Sequence, residues 1–444
     1  MQNLIYGTLL LALISTSVWS ETICNVKDFG AVGDGKTKDT EAIQAAVDQC
    51  AQSGGKVLLE NGKFKSGTIY LKSNITFHIA INATLRGSKK NSDYPELTID
   101  SDNAELRDLK RALLHANDVE NLTIEGRGMI DGRGGKVQWN IPWITESKRP
   151  MAIFIAQSKN VVIQDLRVED AAMWGVVTLE TDNLTIKGLN IYSPYLPNRD
   201  GIDIVDGHNI LIENNTVYSQ DDSICFKSGS KHGIKDVIVR HNTILGSKYA
   251  NGFKLGTASF GSFKNMLFEK NTVLDVNLAA LTVESIDGAI IENIVFKDIF
   301  IKNTGTPFFV LLGSRKHRVT GERTLPVGSI DGVHFINIRS EKTKKSWGSP
   351  IAGSVFQGVR YAPKNITFKG VEVKYKGDRR LKRIPKRPKE YKGQYPDPHM
   401  WGKLPAAGIY FRHIDGLKIE DSVFKISNDD DPRPLIVKDD VQEN

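Results

Sequence analysis

The chain has 444 residues, 59 Lys+Arg against 52 Asp+Glu for a formal net charge of +7, 39 glycines, three cysteines and 40% hydrophobic residues. Collagen-like, disordered and multi-span membrane proteins need more extreme compositions and are excluded. Length alone suggests about three domains of roughly 150 residues, a count that a repeat architecture overrides.

Residues 1–20 carry no charged side chain and contain the apolar run Leu9–Ile14, with Val18 and Ser20 at the −3 and −1 positions of a signal-peptidase site. This reads as a cleaved secretory signal, although a basic residue near its start is missing. The apolar run is too short for a bilayer span of about 20 residues. The expected mature chain, 21–444, is therefore secreted or periplasmic, with no membrane association after cleavage, and is expected to act as a monomer. In an oxidising compartment Cys24 and Cys50, which flank the first element, are expected to form a disulfide. Cys225, in an apolar-alternating stretch, is left as a buried thiol because the count is odd.

Asp39 and Thr40 are N-cap candidates for an amphipathic helix over Glu41–Cys50, and Gly54-Gly55 follow its end. A solenoid exposes raw sheet edges, so this helix is expected to be an N-terminal cap. Beyond it a phrase recurs: Asn or Asp, then β-branched or aliphatic residues. It appears at Asn121-Leu-Thr-Ile, Asn160-Val-Val-Ile, Asn183-Leu-Thr-Ile, Asn209-Ile-Leu-Ile, Asp236-Val-Ile-Val, Asn265-Met-Leu-Phe, Asn293-Ile-Val-Phe, Asp331-Gly-Val-His-Phe and Asn365-Ile-Thr-Phe. From Asn160 to Asn293 the steps are 23, 26, 27, 29 and 28 residues, a solenoid period. Apolar positions alternate with period two between Asn, Gly and Asp turns, so each repeat holds two or three short strands. The expected fold is all-β, a parallel β-helix with coils stacked about 4.8 Å apart.

Two stretches interrupt the repeat. Residues 131–150 hold Trp139 and Trp143, and residues 376–400 hold a basic run from Arg379 to Lys392. Long loops on a solenoid often carry function. The basic run is either a solvated loop or a rim for an anionic chain; nucleic acid is not an expected partner of a secreted solenoid. Trp139, Trp143 and Trp174 could stack on sugar rings or simply pack in the core.

Aligning the strand after each turn puts Asp200 before Gly201-Ile-Asp-Ile, Asp222 before Ser223-Ile-Cys-Phe and Asn251 before Gly252-Phe-Lys-Leu. In-register coils would make a ladder of these side chains, with Asp221 beside it. Clustered carboxylates repel one another, and neighbouring negative charge raises one pKa, which suits a general acid. Inverting glycoside hydrolysis needs one carboxylic acid and one carboxylate that activates water. Two structural readings compete: turns held by Asx hydrogen bonds, and a calcium site. No His/Cys cluster with transition-metal spacing is read along the chain, and neither a metal nor a cofactor is expected.

Asn198-Arg-Asp200-Gly-Ile-Asp, Gln220-Asp221-Asp222-Ser-Ile-Cys, the opening Asp28-Phe-Gly-Ala-Val-Gly-Asp-Gly and the later Leu404-Pro-Ala-Ala-Gly-Ile-Tyr-Phe-Arg-His413 resemble family 28 glycoside hydrolases, the polygalacturonases and rhamnogalacturonan hydrolases. The resemblance covers nearly the whole mature chain and implies a right-handed parallel β-helix. It implies Asp221 as general acid, with Asp200 and Asp222 holding and activating water. Two positions depart from the family pattern. Ala250-Asn251-Gly252 stands where polygalacturonases have Gly-His-Gly, and Thr282-Val283-Glu284 where they have Arg-Ile-Lys. Losing two cations and gaining an anion is expected to repel a galacturonate carboxylate. Lys254, in register with Asp203, Cys225 and Thr282, Lys227 at the position of Glu284, and Arg315 are further candidates for substrate contact, or ordinary ion pairs.

The expected activity is inverting hydrolysis of a pectin-like or other acidic polysaccharide other than plain polygalacturonate. A polysaccharide lyase on the same fold and a non-catalytic carbohydrate-binding solenoid are the alternatives.

Overall fold

The recurring Asn has a backbone cause. In the computed structural model, φ at Asn121, Asn160, Asn183, Asn209, Asn265, Asn293 and Asn365 lies between 52° and 56°, the left-handed region that Asn and Asp enter with the least strain among residues with a side chain. Each coil makes the same corner there. The side-chain amides then bond from coil to coil: Asn160 to Asn121 at 3.0 Å, Asn183 to Asn160 at 2.9 Å, Asn209 to Asn183 at 3.1 Å and Asn293 to Asn265 at 3.0 Å.

The structure describes residues 22–444 except 136–147, 196, 316–317, 320–322, 325, 391–394 and 428–429. The secretory signal, Trp139, Trp143 and Lys392 therefore lie outside the described residues. Thirty-five strands join one continuous hydrogen-bonded sheet, which winds as a right-handed parallel β-helix. A coil contributes strands to three ladders. One coil, for example, supplies Val176–Leu179, Asp182–Lys187 and Asn190–Ser193, which pair in parallel with Ile202–Val205, Gly207–Glu213 and Thr216–Ser219 of the next.

The first ladder carries the site. Its strands are β1 (Val176–Leu179), β2 (Ile202–Val205), β3 (Ile224–Ser228), β4 (Phe253–Ser259), β5 (Ala279–Ser285) and β6 (Thr306–Leu312). Alternation decides which residues face the core. Val176, Ile202, Ile224, Phe253, Leu281 and Phe308 stack in one buried column. The next column, Val177, Asp203, Cys225, Lys254, Thr282 and Phe309, points the other way. Inside the helix Phe268, Phe296, Phe335 and Phe368 stack with successive ring centroids 4.7, 5.4 and 4.9 Å apart. Each such buried ring stabilises the fold by roughly 1.5–3 kcal/mol.

The N-terminal edge is covered by α1 (Thr40–Cys50), which buries Ile43, Ala46, Val47 and Cys50. Cys50 is disulfide-bonded to Cys24, their Cα atoms 6.0 Å apart, and Cys225 is free and buried. Asp39 occupies the N-cap position, but its side chain makes no capping bond. It accepts instead from the Val32 and Gly33 amides at 2.8 and 3.2 Å, because the tight Ala31-Val32-Gly33 turn leaves those N–H groups unpaired.

Candidate active site

The turn before each site strand delivers one polar residue to the same edge of the first ladder. Glycine follows two of them for want of space. A Cβ on Gly252 would lie 2.8 Å from the Ala280 carbonyl oxygen, and one on Gly201 would collide with the Ser223 carbonyl. With those close approaches, Asp200, Asp222 and Asn251 stack on successive coils. Asn251 donates from its backbone amide and its Nδ2 to Asp222 Oδ1 at 3.0 and 2.8 Å. The nearest carboxylate oxygens of Asp200, Asp221 and Asp222 lie within 4.8 Å of one another.

Buried lysines share the acids' charge. Lys254 Nζ donates to Asp222 Oδ2 at 2.9 Å, while Lys227 Nζ bonds Asp203 and reaches Asp200 Oδ2 at 3.2 Å. These ammonium groups supply the neutralising charge that a calcium ion would bring. The carboxyls separate electrostatically as a result. Burial, then the charges of Asp200 and Asp222, push Asp221 up to about 7. Burial raises Asp222 too, but Lys254, Lys227 and Asn251 outweigh it and hold that carboxyl below its ordinary value. Asp200 is lifted well above the usual range by burial and then by Asp203, which itself rises to about 6 mainly through burial. Below about pH 7 a protonated carboxyl, Asp221, thus sits beside an ionised one, Asp222.

These residues open into a cleft of roughly 250 Å³ lined by Asp200, Asp221, Asp222, Lys227, Lys254 and Arg315, together with Trp174, Glu105 and Tyr395. Arg315 does reach the cleft, but its guanidinium is bound bidentately by Asp287 at 2.8 and 2.7 Å. The Trp174 ring, buried at 7% exposure, has Lys227 Nζ 4.0 Å from its centroid, so one of its faces is occupied by a cation. Asn251 lies beneath the cleft: its Oδ1 accepts from the Ala279 amide at 3.1 Å and from Thr282 at 3.2 Å, so its amide orients Asp222. Glu284 is also beneath, 1% exposed, and its Oε2 has no hydrogen-bond partner.

The repulsion expected from Glu284 changes accordingly. Burial raises its carboxyl to about 8, with Lys254 only partly opposing, so at neutral pH the group is largely uncharged. The basic run is placed differently as well. None of its described residues, Arg379 to Lys389, lines the cleft; Arg387 pairs with Asp439 at 2.7 Å on the outer surface. Its one acid, Glu390, is tied to the buried Arg412 and to the Val355 amide at 3.1 Å.

The family model described as glycosyl hydrolases family 28 matches residues 50–389. The chain belongs to that family. It is 26% identical over 339 residues to the exo-poly-alpha-D-galacturonosidase of Dickeya chrysanthemi, an alignment that covers 63% of this chain and 55% of that protein. To a probable polygalacturonase of Vitis vinifera it is 26% identical over 336 residues, 71% of this chain and 68% of the other. The chain therefore spans little more than half the length of the bacterial relative. Among solved structures, the exopolygalacturonase of Thermotoga maritima superposes with a TM-score of 0.71 at 21% identity, covering 91% of this chain and 92% of that one. At that identity the superposition establishes the shared fold.

Sequence reasoning missed several residues around the family 28 site. Tyr395, 61% exposed, shares a hydrogen bond with Thr257 Oγ1 at 2.9 Å, and its hydroxyl oxygen accepts from Lys254 Nζ at 3.4 Å. It sits in an irregular segment, where no periodicity could have located it. Asp287, the Arg315 partner, and Asp203, the Lys227 partner, stand on the same strands or turns as recognised residues, and the alternation of side chains could have found them.

Proposed function

We propose that this chain is a secreted family 28 hydrolase that cleaves glycosidic bonds in a pectin-like or other acidic polysaccharide, at a linkage other than that of plain polygalacturonate. The observation that carries the reading is the pair of adjacent carboxyls with opposite protonation. Asp221, lifted to about 7, is the general acid that protonates the leaving oxygen. Asp222, kept ionised by Lys254 and Asn251, is the base for water, and Asp200, held by Lys227, positions that water. The activities named for the relatives support a pectic substrate. Thr282 and Glu284 in place of a cationic pair, and cleft cations already bound to Asp200, Asp203, Asp222 and Asp287, argue against a site built around a galacturonate carboxylate.

The test is hydrolysis of a panel of polygalacturonate, rhamnogalacturonan, xylogalacturonan and sulfated galactans, with products identified by mass and by the anomeric form first released. Fastest turnover on plain polygalacturonate would overturn the substrate assignment. Inverting enzymes hold their two carboxyls about 6.5–9.5 Å apart and retaining ones about 5–5.5 Å, and here the oxygens lie within 4.8 Å. The proposed inversion therefore requires Asp221 to turn toward the leaving group as substrate enters. A first product of retained configuration would make Asp200 or Asp222 a nucleophile instead. Unsaturated products would identify a lyase, and saturable binding without turnover across the panel would identify a binding solenoid.

A further inference from the structure

On the outer face of the third ladder, over its C-terminal coils, two grooves of roughly 470 and 720 Å³ share Glu341 and Lys342 and so meet as one channel. None of their lining residues belongs to the cleft that holds the acids. Cations outnumber acids seven to three along the walls, and two of the three acids are already engaged. Glu341 pairs with Lys302 at 3.3 Å and with Arg339 at 3.9 Å, and Asp275 pairs with Lys344 at 3.7 Å. Lys342, Lys374 and Lys425 are exposed and form no ion pair with a described residue.

This arrangement is costly as it stands. Lys374 and Lys425 face each other in register on Glu372–Tyr375 and Val423–Ile426, and like charges opposed across a ladder destabilise it. Elsewhere the next coil supplies a carboxylate: Lys264 meets Glu292 at 2.8 Å and Lys369 meets Glu420 at 3.4 Å. Here an external anion has to supply that charge. The cations are spread along the channel instead of converging on a point, which suits a polymer better than a small ion. Their rows repeat at the coil spacing of about 4.8 Å, close to the length of one sugar residue. Tyr192 and Tyr218 stand outward on the same ladder with ring centroids 5.3 Å apart, and Tyr192 is 45% exposed. Sugar rings stack on such surfaces. A lipid surface fits less well, because Val423 is the only exposed large apolar side chain among the lining residues.

We propose that this channel is a second, non-catalytic binding site for an anionic polysaccharide, whose carboxylate or sulfate groups pair with Lys342, Lys374 and Lys425. The choice of a polysaccharide rests on the hydrolase reading, whereas the anion site itself does not, so its test is binding without turnover. Lys376, at the edge of the channel, lies three residues before the exposed basic run that begins at Arg379. That run, which has no place in the cleft, thus follows directly on the positive wall.

The experiment measures binding of the full chain carrying Asp221→Asn to immobilised polygalacturonate, to neutral galactan and to anionic phospholipid vesicles, each at low and high salt. Polygalacturonate should be bound, more weakly at high salt, and galactan should not. Adding Lys342→Gln, Lys374→Gln and Lys425→Gln together should weaken binding about 10-fold. A control with the same charge loss on the second ladder, Lys235→Gln, Lys264→Gln and Lys297→Gln, should bind like its parent. No binding to polygalacturonate, equal binding to galactan, equal losses in the two triple variants, no loss in the first, or retention on vesicles in place of polysaccharide would each overturn the site. Absence of hydrolysis by the unmodified chain would sink the catalytic reading and leave the binding result standing.

Discussion

Asp221 and Asp222 are neighbours in sequence, yet their surroundings set them to opposite protonation. Asp221 is dominated by burial and by the charges of Asp200 and Asp222, which Lys254 only partly offsets, whereas Asp222 is gripped by Lys254 and Asn251. Replacing the acid, Asp221→Asn, should lower kcat by ~10²–10⁴-fold with little change in KM, measured on whichever substrate the panel selects. The same assignment fixes a pH limb. The general acid must hold its proton, so kcat/KM of the parent enzyme should decline as pH rises through about 7; a rate that stays flat to pH 9 would remove Asp221 from that role. Lys254→Met should act on the opposite limb. Without the ammonium the Asp222 carboxyl rises, so activity would be lost at a higher pH on the acidic side, and the buried unpaired charge should cost about 3–5 kcal/mol of stability. The aspartates could be read from the sequence because turn and strand repeat in register. The protonation pattern could not, because it depends on Lys227 and Lys254 arriving from coils 24 to 32 residues away. Glu284 shows the same limit: its charge is evident in the sequence, and the burial that removes it is not.

At the scale of an element, the corner residues do two jobs that a sequence displays as one letter. Asn209 holds φ at 56° and bonds Asn183 at 3.1 Å. Asn209→Val would place a β-branched residue in the left-handed region and break the amide ladder, a loss of roughly 2–3 kcal/mol that should appear as a lower Tm with unchanged kcat on folded enzyme. Most of the β-helix was legible for this reason: Asn160, Asn183, Asn209, Asn265 and Asn293 mark coil after coil. A second, buried ladder, in which Asn215 donates to Asn242 at 2.9 Å and Asn242 to Asn271 at 3.1 Å, escaped notice because those residues begin no conspicuous apolar phrase. The cap helix was legible from its amphipathic pattern, whereas the true work of Asp39 was not, since its partners Val32 and Gly33 lie in the preceding turn.

Across the whole molecule, the buried carboxyls in and around the site act against stability at neutral pH. Asp203 and Asp206 titrate at about 6, Asp221 at about 7 and Glu284 at about 8, all above their ordinary values of 3.8 or 4.5. A raised folded-state value gives stability that is complete below the unfolded value and disappears as pH climbs through the folded one. Thermal melts at equal ionic strength should therefore show a higher Tm at pH 5 than at pH 8. Carboxyls held low, such as Asp222 and Asp431, act on the acid side of that window. At the N-terminal end, the Cys24–Cys50 bridge closes a 26-residue separation, and a Cys24→Ala/Cys50→Ala variant should lose about 3 kcal/mol of cap stability, visible as earlier fraying of α1 in hydrogen exchange. Tyr395 leads to a different kind of consequence. The coils behind Asp200 and Asn251 stack so tightly at Gly201 and Gly252 that neither tolerates even a methyl group, while Tyr395, which covers Lys254, arrives from more than 100 residues downstream. The catalytic floor and Tyr395, which covers Lys254, thus come from separable stretches of polypeptide. A chimaera that exchanges only residues 376–400 with another member of the family should change KM while keeping the recipient's pH profile, which Asp221 and Asp222 set, measured on one common substrate.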